Sequence, residues 1–186
     1  MIINKIYDNI YEIEEFISDD ECQVILKRAY SSKEKDWFHY EEDYSKFWSD
    51  KSLIIPKHLM YGINNRIETL FKSFYYITKI NAINRFSKNV AMARHRDNHT
   101  MIKNEFSAYG AVLYYNDDYL GGEIEYPELD IKIKPKARSL IIHAGDILHG
   151  TTKVLSDSMR YFSTSFIREK DDIKVELNSE IFKDKE

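Results

Sequence analysis

The residues of this chain best suited to chemistry are His95, Asp97, His149 and Arg160. His95 and Asp97 flank Arg96, His149 follows Asp97 by 52 residues, and Arg160 follows His149 by eleven. Two imidazoles and one carboxylate can hold a ferrous ion on one face and leave the opposite positions open. A buried arginine close by can hold a dicarboxylate in those open positions. On a strand, His95 and Asp97 at i and i+2 point to one face and Arg96 to the other. The triplet alone is a weak signal in a chain with six histidines. His149 strengthens it, because it follows an apolar run (140–142) and a turn at Gly145-Asp146. Arg160 opens a further apolar strand and shares a face by alternation with Phe162, Thr164 and Phe166. An arginine on such a face is costly unless an anion meets it. That anion is either an internal Asp or Glu or a bound carboxylate.

The elements that must position these residues fall into two parts. The length of 186 residues fits one domain spanning 1–186. Within it, 1–76 reads as a strand and two helices, and 77–170 as a strand-rich core. Residues 10–16 alternate like an edge strand. Ser18 and Glu21 form a capping box before the apolar face Cys22, Ile25, Leu26 and Ala29. A second helix starts near Pro56, with the stripe Leu59, Ile63, Ile67, Leu70, Phe71 and Phe74. The pattern then predicts strands at 77–86, 90–96, 107–116, 122–126, 131–133, 139–143, 149–151 and 159–168, with 173–177 as a further edge. Strands after helices predict an α+β, mainly β fold whose sheets form a sandwich or barrel. The last residues, 183–186, are expected to fray.

Composition removes several function classes. Basic residues number 27 against 31 acidic, and the net charge of −4 gives no basic footprint for a nucleic-acid partner. No apolar run approaches the roughly 20 residues of a membrane span, and the N-terminus has no apolar signal-peptide core. The single cysteine, Cys22, rules out an internal disulfide and reads as a small core residue. A soluble, cytoplasmic protein is the expectation.

The region from Ile80 to Ile167 resembles the iron(II)/2-oxoglutarate-dependent dioxygenases, most closely their prolyl 4-hydroxylase-like branch. Four features carry the resemblance: His95-x-Asp97, Gly121-Gly122-Glu123, His149-Gly150, and Arg160 eleven residues after His149. The opening phrase from Glu15 to Cys22 is similar to that branch's first strand and helix. The resemblance implies a double-stranded β-helix, a jelly-roll-like barrel of two sheets supported by N-terminal helices. It implies Fe(II) on His95, Asp97 and His149, and 2-oxoglutarate with its distal carboxylate on Arg160 and Tyr114. Thr151, Ile124 and Phe166 fall where the family lines the cosubstrate pocket. Dioxygen is then the oxidant, succinate and carbon dioxide the co-products, and ascorbate a candidate reductant. Asp97 favours hydroxylation, because related halogenases lack this carboxylate. The chain also departs from the family: Phe86 stands for a tyrosine, Asn89 for a glycine, and Arg160 for the lysine of many peptidyl prolyl hydroxylases.

The implied function is hydroxylation of a C–H bond, with a prolyl residue in a peptide or protein as the leading substrate. A free amino acid, small metabolite or nucleobase would suit the same chemistry, and a non-catalytic β-barrel binding module is the remaining reading. His99 is set aside as a ligand because His149 has the better context. His143 reads as a core residue or a support for the ligands, and His39 and His58 as surface residues. Trp37, Phe38, Tyr40, Tyr44, Phe47 and Trp48 read as ordinary packing or as a loop covering substrate. Residues 98–106 are a second lid candidate.

Overall fold

The computed structural model describes residues 1–38, 51–98, 100–102 and 104–183. Tyr40, Tyr44, Phe47, Trp48, His39, His99 and the chain end at 184–186 lie outside the described residues, as does part of the segment 98–106.

The chain opens with a hairpin of β1 (Ile2–Tyr7) and β2 (Ile10–Glu14), turned at Asn9 with a φ of 60° that asparagine tolerates. Nothing in the pattern announced β1, which is largely exposed and shows no alternation. β2 was expected at an edge, but it lies inside its sheet between β1 and β11 (Leu140–Ala144). The expected capping box is present on α1 (Asp19–Ser31): Ser18 Oγ accepts from Glu21 N at 3.2 Å, and Glu21 Oε2 accepts from Ser18 N at 2.9 Å. Cys22, Ile25 and Ala29 form its buried face. After β3 (Lys51–Ile54), α2 (Lys57–Thr69) starts behind Pro56 and buries Ile63 and Ile67. Its stripe stops sooner than the periodicity suggested. The helix ends at Leu70, and Phe71 reaches the same apolar core from β4 (Phe71–Ser73) instead.

The expected strand 77–86 is split into β5 (Tyr76–Ile77) and β6 (Ala82–Phe86). The cause is Asn64 of α2. Its amide accepts from Ile80 N at 2.8 Å and donates to Ile80 O at 3.0 Å, so a buried side chain replaces a strand partner there. The remaining strands are β7 (Thr100–Ile102), β8 (Glu105–Tyr114), β9 (Ile124–Tyr126), β10 (Ile131–Ile133), β11, β12 (Gly150–Thr151), β13 (Arg160–Lys170) and β14 (Glu176–Leu177). Residues 90–96 do not form the expected strand; among them only His95 makes a bridge, opposite His149. From 173–177, only Glu176 and Leu177 pair with β4, and Ile173 bridges Lys170.

The larger sheet runs β1-β2-β11-β8-β13-β6-β3, with β5 beside β13 and β7 beside β8. The smaller sheet of the barrel is β10-β9-β12, and β4 with β14 makes a separate two-stranded ribbon. Side chains alternate across the larger sheet and bury both of its faces. Ile83, Ala111, Leu113, Leu140 and Ile142 join one apolar core with Ile25, Ile63 and Ile67 of the two helices. Phe86, Tyr114, Ile141 and Phe162 join a second core with Ile124, Tyr126 and Ile133 of the smaller sheet. The fold is α+β and mainly β, with two antiparallel sheets forming a double-stranded β-helix and two helices on its back. Among the described residues, no helix is long and apolar enough to cross a membrane.

Candidate metal centre

The bridge between His95 and His149 is closed by two backbone bonds, His95 N to His149 O at 2.8 Å and His149 N to His95 O at 3.0 Å. Directly opposed residues put their side chains on one face. The imidazoles accordingly stack at 4.4 Å between ring centroids. Asp97 is fixed separately. Its amide and that of Asn98 both donate to Gly145 O, at 2.8 and 2.9 Å. The turn at 144–146 therefore holds the carboxylate beneath the two rings, while Arg96 turns outward to Glu128 and Asp146 O.

His95, Asp97 and His149 each offer a ligand atom, and those atoms lie within 4.8 Å of one another. Both histidines are set to the same tautomer. Nδ1 of His95 donates to Ala93 O at 2.9 Å, and Nδ1 of His149 donates to Ile147 O at 2.9 Å. Each Nε2 then keeps its lone pair and faces Asp97, at 3.3 Å from Oδ1 for His95 and 3.8 Å from Oδ2 for His149. Burial, reinforced by His143, pushes His149 down to about 3, so it is a neutral imidazole at ordinary pH. Burial works against ionisation of Asp97, but His143, bonded to Oδ2, and the imidazoles of His95 and His149 beside it prevail and hold it well below the usual carboxylate range. Burial would lower His95 too, but the Asp97 carboxylate outweighs it and leaves its pKa raised. Oδ1 of Asp97 is buried without a hydrogen-bond partner. Two imidazole nitrogens and a carboxylate, one of its oxygens unsatisfied among the described residues, are the donor set that a divalent iron would complete.

His143 supports this cluster, as its apolar setting suggested. It is 1% exposed, its Nε2 lies 3.3 Å from Asp97 Oδ2, and its Nδ1 is 3.1 Å from the Tyr126 hydroxyl. Gly110, directly across the sheet from both His143 and Phe166, was not singled out by the sequence. A Cβ there would collide with Asp97 Oδ2 and sit 2.7 Å from His143 Nε2.

The cluster opens into a cavity between the sheets whose walls include Met92, Val112, Ile124, Thr151, Thr164 and Phe166. Ile124, Thr151 and Phe166, named from the sequence, thus line the same cavity as the His-Asp-His cluster. Thr151 also accepts from Met92 N at 2.8 Å, which ties the loop before His95 to β12. The same cavity is bounded by Arg160 and Tyr114. Arg160 is 2% exposed, and its guanidinium lies 4.7–5.1 Å from the ring centroids of Phe162, Tyr114 and Phe86. Nη2 donates to the Tyr114 hydroxyl at 2.9 Å, whereas Nε and Nη1 are buried without partners. Among the described residues, no Asp or Glu pairs with Arg160, so the internal salt bridge considered from the sequence is not what satisfies it. Asn89 has a φ of 69°, the conformation a glycine would supply at this place in the turn. His58 is exposed, as expected, and Cys22 is buried with its thiol donating to Tyr115 O at 3.0 Å.

Comparison with known proteins adds to this geometry. No family model matches the sequence, and no curated protein does. Solved structures do. A viral collagen prolyl hydroxylase from Paramecium bursaria Chlorella virus-1, in complex with 2-oxoglutarate, is 21% identical with a TM-score of 0.57, over 87% of this chain and 96% of that one. A Pseudomonas putida prolyl-4-hydroxylase is 14% identical with a TM-score of 0.60, over 88% and 94%. A Trichoplax adhaerens prolyl hydroxylase, in complex with a peptide fragment of the hypoxia inducible factor oxygen degradation domain, is 15% identical with a TM-score of 0.65, over 86% and 83%. The chain therefore has the double-stranded β-helix fold of these prolyl hydroxylases.

Proposed function

We propose that this chain is an iron(II)- and 2-oxoglutarate-dependent hydroxylase acting on a prolyl residue of a peptide or protein. The observation that carries the reading is the pairing of two unsatisfied features in one cavity. A His-Asp-His cluster with an orphaned carboxylate oxygen shares it with a buried arginine whose Nε and Nη1 have no partner. A divalent metal would satisfy the first, and a carboxylate the second. Bound there, iron with 2-oxoglutarate and dioxygen would supply oxidative decarboxylation to succinate and carbon dioxide, coupled to hydroxylation of a C–H bond.

The protein's own residues have separable tasks. His95 and His149 present neutral Nε2 donors because backbone carbonyls hold their Nδ1 hydrogens. Asp97, kept ionised by His143 and His95, supplies the negative charge. Arg160 binds the distal carboxylate as a charge-assisted fork. Tyr114 accepts from Arg160, which leaves its own hydrogen for that carboxylate. Ile124, Thr151 and Phe166 shape the cavity and keep water from it. The reading treats 1–186 as one catalytic unit in which 1–76 buttresses 77–170. A peptide substrate is supported by the Trichoplax relative, whose structure holds one. A reducing cytoplasm suits the buried thiol of Cys22, and ascorbate is the proposed reductant.

Purified protein supplied with Fe(II), 2-oxoglutarate, ascorbate and oxygen should release succinate. It should also add the ~16 Da of one oxygen to proline-containing peptides. Succinate release with modification confined to free amino acids or nucleotides would move the substrate class. No release under any condition would remove the enzyme reading.

A further inference from the structure

Tyr119 was not among the expected site residues, yet it is held against Arg160. It is 2% exposed, and its hydroxyl is buried without a hydrogen-bond partner. The hydroxyl sits within reach of Arg160, whose charge and hydrogen-bonding contact both oppose the rise that burial imposes on the phenol. Gly122 explains the closeness. It adopts a φ of 66°, and a Cβ there would lie 2.9 Å from Tyr119 Cε2 and 3.3 Å from Arg160 Cδ. The glycine thus lets the phenol ring and the arginine stem pack on one spot. The ring is fixed again by Lys134, whose Nζ lies 3.2 Å from the ring centroid and donates to Tyr119 O at 2.6 Å and Gly121 O at 3.0 Å.

Among the described residues, Nε and Nη1 of Arg160 and the hydroxyl hydrogen of the neighbouring Tyr119 are thus buried with no carbonyl or carboxylate to accept from them. A buried orphan donor is costly, and orphans of one kind gathered at one place are satisfied together by an anion. Resting on the proposed cosubstrate reading, we infer that Tyr119 is a second phenolic donor to the distal carboxylate of 2-oxoglutarate, alongside Tyr114 and Arg160. Gly122 and Lys134 are the positioning residues that hold it there.

The test is calorimetric binding to the Mn(II)-loaded full chain, comparing wild type with Tyr119→Phe. The ligands are 2-oxoglutarate and 2-oxopentanoate, which lacks the distal carboxylate. Tyr119→Phe should weaken 2-oxoglutarate at least about ten-fold, as expected for one hydrogen bond to a charged group. It should leave 2-oxopentanoate unchanged. The unliganded variant should melt at or above the wild-type temperature, because it has lost an unsatisfied buried hydroxyl. A merely structural role for the phenol would lower that melting temperature instead. Unchanged 2-oxoglutarate affinity, as a buried water acceptor would give, or equal weakening of both ligands, overturns the inference alone. Failure of wild type to bind 2-oxoglutarate overturns the cosubstrate reading along with it.

Discussion

Replacing Arg160 by methionine removes the charge of the proposed clamp while keeping an unbranched, flexible stem out to the position of Nε. In the wild type Arg160 is 2% exposed, and its guanidinium donates to the Tyr114 hydroxyl and lies over three aromatic rings at 4.7–5.1 Å. Without the guanidinium, a bound dicarboxylate would leave one charge unpaired in a dry pocket. That costs on the order of 2–5 kcal/mol. The affinity for 2-oxoglutarate should therefore fall by about 30-fold to several thousand-fold. Stability should respond differently. Loss of three cation–π contacts, each worth about 0.5–2 kcal/mol, opposes relief of an uncompensated buried charge of similar size. The unliganded variant should then unfold within about 1 kcal/mol of wild type. Anaerobic calorimetry on Mn(II)-loaded protein gives the first quantity, and urea denaturation gives the second. A variant that binds 2-oxoglutarate within about three-fold of wild type would refute the clamp, because so small a loss is less than one charge-assisted bond.

Other consequences can be checked in parallel. Tyr114→Phe removes one hydrogen bond to a charged acceptor and should weaken 2-oxoglutarate by roughly 1.5–3 kcal/mol, less than Arg160→Met does. Gly110→Ala inserts a methyl group against Asp97 and His143. It should reduce metal affinity measurably in an equilibrium titration while circular dichroism remains that of the folded protein. His143→Leu removes the partner of Asp97 Oδ2 and should cost about 10–100-fold in metal affinity. Acid should weaken the metal-free protein. His149, held down to about 3 in the fold against about 6.5 unfolded, contributes stability that is complete above pH 6.5. As pH falls below that, roughly 1 kcal/mol is lost per pH unit. Asp97, also depressed, adds its loss below about pH 4. His95 is raised and works the other way, so its contribution is full below pH 6.5 and fades above it. Urea melts across pH 4–7.5 should slope downward into acid for wild type, and His149→Leu should flatten that slope.

The chemistry of this chain was more legible than its geometry. His95, Asp97, His149 and Arg160 stood out because costly residue types fell at turns and on apolar faces. Their clustering repeats that logic in space. The strand expected at 90–96 failed because alternation signals a pleat, not a regular ladder: Val90 and Met92 accept single bonds from Val154 and Thr151, and only His95 closes a bridge. Phe71 continued a helical stripe on paper, although Leu70 ends the helix and a strand carries it to the same core. β2 read as an edge because its own sequence says nothing of β1, whose exposed residues carry no pattern. Gly110 and Tyr119 stayed hidden for a related reason. Their roles arise from cross-sheet register and from the left-handed turn at Gly122, which bring together residues distant in the chain. Gly121-Gly122 was the available signal for Tyr119, since paired glycines mark a place where backbone and side chains approach closely.

In the proposed function, His95, Asp97 and His149 hold the iron that turns over 2-oxoglutarate. Oxygen-dependent release of succinate by the iron-loaded protein, compared with an Asp97→Ala variant, tests it most directly. The wild type should release succinate and the variant none, and the wild type should hold a single iron per chain that the variant fails to retain. Equal succinate release by the two proteins, or iron bound equally by both, would contradict it.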